Sequence, residues 1–207
     1  VSERPAPVPS GARLRLADLA CLRGGRLLFH HVNLSLAAGE AAMLTGPNGI
    51  GKSSLMRVVA GLLPAFAGTV EREGALALTD ERLALDMERP MADALAFWAM
   101  IDGASPAALA VALDRMALTN LAPVPVRMLS TGQRKRAMLA RVIASGAPIW
   151  LLDEPANGLD TASIALLGEA IAAHRASGGL VLAASHQPLP MDGAIGIDLR
   201  DHAVEPA

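Results

Sequence analysis

Apolar and polar positions alternate loosely from Arg13 to Ala20 and again from Leu27 to Ala37, the period of two expected of strands. Gly24-Gly25 makes the turn between them, and Gly39 closes the second. Ala41 to Thr45 is a short apolar run ending at a glycine-rich loop. Lys52 to Ala60 then takes a helical period, with Leu55, Met56, Val58 and Val59 on its apolar side and Gly61 and Pro64 closing it. Thr69 to Thr79 reads as two short strands broken by Gly74. From Asp80 to about Gly146 the pattern turns helical. Ser105-Pro106 reads as an N-cap followed by proline at the first helical position, and Pro123 and Pro125 break the pattern before Leu129. Ile149 to Leu152 and Leu180 to Ala184 are wholly apolar strands on either side of a helix from Thr161 to Ala176, and Ala194 to Leu199 is a last short strand. Apolar strands alternating with helices predict a parallel α/β core. The stretch 80–146 reads as a helical subdomain inserted into it, within one domain spanning 13–207. Residues 1–12, with Pro5, Pro7 and Pro9, read as a polar tail that lacks the apolar core of a signal peptide.

Composition narrows the classes. Apolar residues make up 52% of the 207, enough to bury a core, so disorder of the bulk is excluded. A net charge of -2 provides no global basic field, so no nucleic-acid partner is expected. One cysteine, Cys21, allows no internal disulfide, and no Cys/His cluster points to zinc or attached haem. No apolar run is long enough to span a bilayer. The mean hydropathy of +0.38 is nevertheless high. It reflects either a surface covered by a partner or simply an alanine-rich composition.

The candidate chemistry begins at Gly46-Pro47-Asn48-Gly49-Ile50-Gly51-Lys52-Ser53, which matches the phosphate-loop spacing G-x-x-x-x-G-K-[ST] between a strand and a helix. Glycines let successive backbone N–H groups converge on an anion, and the helix N-terminus adds its partial positive charge. Lys52 is placed to reach β and γ phosphates, Ser53 to ligate Mg²⁺, and Ser54 stands beside them. The apolar strand Ile149 to Leu152 carries Asp153 and Glu154 at its C-terminal end, where α/β sheets bind ligands. Asp153 is the second candidate Mg²⁺ ligand and Glu154 the candidate base for an attacking water. These motifs predict a nucleoside triphosphatase.

Leu129-Ser130-Thr131-Gly132-Gln133 resembles the signature of ATP-binding cassette (ABC) proteins, with Thr131 in place of the usual first glycine. Asn157-Gly158-Leu159-Asp160 and His186 stand where that family has its interface loop and its γ-phosphate histidine. The resemblance spans roughly residues 13–200. It implies a phosphate-loop core with an antiparallel β subdomain and an inserted helical subdomain, using ATP and Mg²⁺. It also implies a head-to-tail pair of cassettes in which Ser130, Gly132, Gln133 and Asp160 of one copy complete the site built on Lys52 of the other. Arg134, Lys135 and Arg136 oppose the dipole of the helix they open, so they face either a nearby anion or solvent.

Two features of the ABC pattern are missing. No aromatic stands near Leu22-Arg23-Gly24-Gly25 to stack on adenine, and Arg23 occupies about that position, where a guanidinium can stack on a base. No glutamine follows Thr79; Asp80 or Glu81 replaces it toward Mg²⁺, or the contact is absent.

A lone cassette suits the ATPase subunit of a transporter whose membrane part is a separate chain. The Leu44 to Gly49 loop, the Ala147 to Pro155 run, Ser185 to Leu189 and the Arg23 to Arg26 turn are similar to the ATP-binding subunit of the cytochrome c biogenesis haem exporter. That resemblance implies a peripheral chain on the cytoplasmic face of the inner membrane, bound to integral membrane permease subunits. ATP hydrolysis there drives haem export or release of a haem-loaded chaperone, and the cassette itself is expected to bind no haem. The alternatives are the ATPase of another exporter or importer and a soluble, non-transport ATPase. Glu154 argues against a module that only binds ATP.

Overall fold

A computed structural model describes residues 11–79 and 85–203. Most of the expected N-terminal tail, and Asp80 and Glu81, lie outside the described residues. Two sheets organise the chain. Strands β1 (Arg13–Arg23), β2 (Arg26–Leu36) and β4 (Ala67–Glu73) form an antiparallel sheet in the order β2-β1-β4. Strands β3 (Ala41–Thr45), β5 (Leu76–Thr79), β6 (Ile149–Asp153), β7 (Leu180–Ala184) and β8 (Ile195–Asp198) form a parallel sheet in the order β5-β6-β7-β3-β8.

The parallel sheet is covered on both faces, which is why β7, and β6 up to its terminal Asp153, are apolar, and both are buried at every position. In β6, Ile149 and Leu151 join a core with Phe29, Leu36, Leu44, Met56 and Leu182, under the antiparallel sheet and helix α1 (Lys52–Ala60). Trp150 and Leu152 alternate into a second core with Met91, Leu95, Leu113, Leu139 and Leu167, under the helices α2 (Met91–Ile101), α3 (Pro106–Arg115), α4 (Thr131–Ala144) and α5 (Thr161–Ala176). Each fully buried Leu or Ile there is worth about 1.5–3 kcal/mol of hydrophobic stabilisation.

The stretch expected to be helical divides into α2, α3 and α4, with two short 3-10 turns, Thr119–Leu121 and Val126–Met128, between α3 and α4. Pro90 and Pro125 pair in an isolated bridge that ties the start of α2 to the second turn. The predicted cap of α3 is present: Ala108 N donates to Ser105 Oγ at 3.1 Å, with Pro106 at the first helical position. The two strands expected across Gly74 go to different sheets, β4 beside β1 and β5 beside β6.

Candidate functional site

The C-terminal ends of β3, β6 and β7 meet at one edge of the parallel sheet, and the loops that follow them build the site. The loop from Gly46 to Gly51 joins β3 to α1. Gly51, at φ 122°, precedes Lys52 in a conformation that side chains rarely adopt. A Cβ at Gly51 would lie 3.2 Å from the Phe29 ring and 3.3 Å from Leu28 Cβ, so the loop is packed directly against β2.

A cavity of about 540 Å³ opens here. Asn48, Gly49, Gly51, Lys52, Ser53 and Ser54 line it from the loop and α1. Glu154, Asn157 and His186 come from the loops after β6 and β7, and Arg23 and Leu28 from the β1–β2 hairpin. Lys52 is only 6% exposed, and its Nζ donates to Gly46 O at 2.7 Å and to Pro47 O at 3.4 Å. The same Nζ lies 3.6 Å from Glu154 Oε1. Glu154 Oε2 accepts from His186 N at 3.3 Å and lies 2.8 Å from His186 Nδ1. Lys52, Glu154 and His186 therefore form one connected chain of charge and hydrogen bonds. Glu154 holds a left-handed φ of 46°, unusual for a side-chain-bearing residue. Strain of that kind is kept where the surroundings demand it, here to turn the carboxylate from the end of β6 toward Lys52 and His186. Asp153, one residue earlier, is buried at the end of β6. Thr79, at the end of the neighbouring β5, is also buried, and its hydroxyl finds no hydrogen-bond partner among the described residues.

A buried lysine, hydroxyls and convergent glycine backbone suit a polyphosphate, and a carboxylate held against a histidine suits activation of water. Comparison with known proteins agrees. Residues 29–157 match the ABC transporter family. The chain belongs to that family.

Among its relatives, the cytochrome c biogenesis ATP-binding export protein CcmA of Zymomonas mobilis is 57% identical over 183 residues, covering 87% of this chain and 81% of that protein. The protein of the same description from Novosphingobium aromaticivorans is 57% identical over 184 residues, covering 89% and 94%. An ABC transporter ATP-binding protein from Pyrococcus furiosus superposes with a TM-score of 0.82 at 21% identity, over 93% of this chain and 100% of that one. A bacterial Atm1-family ABC exporter with ATP bound gives 0.82 at 20% identity, over 99% of this chain and 40% of that one. Together with the two sheets and the helical layer, these likenesses show the fold of an ABC nucleotide-binding domain.

In this ABC chain the signature residues Ser130, Gly132 and Gln133 open α4 and are not part of the cavity lining. They open α4 as a reciprocal capping box: Gln133 N donates to Ser130 Oγ at 3.2 Å, and Ser130 N donates to Gln133 Oε1 at 2.8 Å. Gly132 lies against the loop after β6, where a Cβ would come within 3.1 Å of Gly158 O. Asp160, exposed in the single chain, caps α5 by accepting from Ser163 N at 2.8 Å. Hydrogen bonding to Ser163 lowers its pKa below the ordinary carboxylate value.

The basic run after Gln133 has structural partners. Arg134 donates to Arg127 O at 3.1 Å, and Arg136 to Met116 O at 2.7 Å and Ala117 O at 3.2 Å. Carbonyls of the preceding segment, including the C-terminal end of α3, thus offset the conflict with the α4 dipole. Sequence reasoning missed Leu28 and Thr79. Leu28 is a half-buried member of an apolar strand pattern, with no motif to mark it. Thr79 stood only as the end of a strand.

Proposed function

We propose that the chain is the ATP-hydrolysing subunit of the export system of cytochrome c biogenesis, with haem export or release of a haem-loaded chaperone as the work it drives. The observation that carries the hydrolytic part is the connected Lys52–Glu154–His186 chain inside the phosphate-loop cavity. ATP seats its phosphates on the loop from Gly46 to Ser53, replacing the carbonyl and carboxylate partners of Lys52. Glu154 takes a proton from water as the water oxygen bonds to the γ-phosphorus. The bond from that phosphorus to the β–γ bridging oxygen breaks, giving ADP and phosphate. His186 holds Glu154 and contacts the γ-phosphate.

Mg²⁺ fits the residues present. The Ser53 hydroxyl lines the cavity and the buried Asp153 carboxylate ends β6, both hard oxygen donors, and among the described residues no cluster of His, Cys, Asp or Glu forms a complete metal cage. Two protein oxygens, with phosphate and water completing the shell, is the usual way Mg²⁺ is held. When bound it neutralises charge on the β and γ oxygens.

That Ser130, Gly132 and Gln133 do not line the cavity of their own chain supports a head-to-tail pair in which they and Asp160 complete the partner copy's site. No helix among the described residues is long and apolar enough to cross a membrane. Phe97, Met100 and Ile101 on α2, together with Leu62, are more than half exposed, beside a 450 Å³ groove lined by Trp98, Asp102 and Arg141. This apolar surface supports docking to an integral membrane permease subunit at the cytoplasmic face of the inner membrane. Binding of haem by the chain itself is not part of this reading.

The Glu154→Gln variant tests it. Expected are retained ATP binding, loss of turnover by a hundredfold or more (~10²–10⁴ for a general base), and an ATP-dependent dimer by light scattering. Purification of that variant with its native membranes should recover permease subunits of cytochrome c biogenesis. Retained turnover removes Glu154 as the base, and recovery of an unrelated permease removes the haem assignment.

A further inference from the structure

Helix α5 carries a single glycine, Gly168, in its middle. Glycine is a poorer helix residue than alanine, which fills much of the rest of α5. Gly168 is not among the residues with positive φ, so its own backbone does not require glycine. The space beside it does. A Cβ there would lie 2.5 Å from Pro190 Cγ and 2.9 Å from Pro190 Cβ, well inside the ordinary carbon contact of about 3.5–4.0 Å. The proline ring therefore rests directly on the backbone of α5.

Pro190 belongs to the loop from β7 to β8, and His186 stands in the same loop just before it. The loop leaves β7 at the buried Ser185, whose N donates to Leu44 O at 3.2 Å. On the far side Leu189 and Met191 pack into the core under the helices, and Asp192 O accepts from Arg175 Nη1 of α5 at 2.9 Å. Gln187-Pro188-Leu189-Pro190 connects the two ends. Proline fixes its own φ and keeps the residue before it extended, so this connection is stiff. The His186 side chain is 46% exposed and touches Glu154 and Gln187. Enclosure does not fix its position as it fixes the buried Lys52, so the loop backbone must.

On the reading that His186 holds Glu154 and contacts the γ-phosphate, we infer that Gly168 is a positioning residue for hydrolysis: it lets Pro190 seat on α5, and that seat sets where the loop places His186. A methyl group at 168 pushes the ring away by about 1 Å to reach ordinary contact. The stiff connection carries the shift toward His186. A misplacement of about 1 Å made far from the chemistry costs up to about a hundredfold in rate.

Steady-state ATP hydrolysis by the full chain tests this. Gly168→Ala should lower kcat about tenfold or more, with KM for ATP within about twofold of wild type, because Lys52 and its loop are untouched. Helix propensity alone would make the same change neutral or stabilising. In the Pro190→Gly background both colliding ring atoms are gone, and there Gly168→Ala should change kcat by less than about twofold. Wild-type kcat per folded Gly168→Ala chain, whatever its melting temperature, overturns the positioning role. An equal loss with and without the Pro190 ring overturns the seat. His186→Ala tests the underlying reading separately: it should lower kcat at least as far as Gly168→Ala, and wild-type kcat there overturns the γ-phosphate role of His186 itself.

Discussion

His174 shows how a single side chain can tie stability to pH away from the reacting groups. It sits in the last turn of α5 and stacks on Trp150, with ring centroids 3.8 Å apart and planes 11° from parallel. Burial holds its pKa below the ordinary 6.5, opposed by hydrogen bonding to the backbone of Leu180 and Pro148. The unfolded chain therefore takes up a proton at a higher pH than the folded one, and the folded state loses stability as pH falls through 6.5 toward the lower folded value. The melting temperature should fall between pH 7.5 and 5.5, and His174→Phe, which keeps a ring on Trp150, should reduce that slope. Equal slopes in the two proteins would show that His174 does not contribute. The loop Gly46 to Ser53 was legible at this scale because the groups proposed to cradle phosphate are neighbours in the chain. Arg134 and Arg136 were not, because their carbonyl partners lie in the segment before α4 and no local pattern announces them.

At the scale of elements, α4 combines a structural cap with a proposed contact to a second chain. Loss of the Ser130 hydroxyl removes an N-cap bond worth about 1 kcal/mol. Ser130→Ala should therefore lower the melting temperature by about 2–4 °C, measured by calorimetry. If Ser130 also completes the partner's site, turnover per folded chain should fall far more than this modest destabilisation explains. A normal turnover number with a lowered melting temperature would leave the cap as its only role. Helix starts, such as Ser105-Pro106, could be read from sequence because the cap and first turn are contiguous. The irregularity of β1 could not. Its pairing shifts between Leu16 and Leu19, where Asp18 takes a left-handed φ of 53° and Asp18 N donates to Asn33 Oδ1 at 2.9 Å. A bulge of this kind depends on the partner strand as well as on its own residues.

At the scale of the whole molecule, a head-to-tail pair makes a sharp prediction. Lys52→Ala and Ser130→Ala chains should each be inactive or nearly so alone. Mixed at high protein concentration, a hybrid pair regains one site built from the intact Lys52 of one copy and the intact Ser130 of the other. About a quarter of wild-type turnover is expected from an equal mixture, since about half the pairs are hybrid and each has one complete site. No gain on mixing would mean that each chain works with its own residues.

The phosphate loop, the carboxylates after an apolar strand, the helix caps and the alternation of strands with helices follow from the chain order of residue types. Each depends on hydrogen bonds, spacing or periodicity within a short segment. Folding alone brought Arg23, Leu28, Lys52, Glu154 and His186 around one cavity, and folding sent β4 and β5 to different sheets. Those outcomes rest on pairings between segments far apart in the chain. Alternation tells a strand which face to bury, but it does not name the strand beside it.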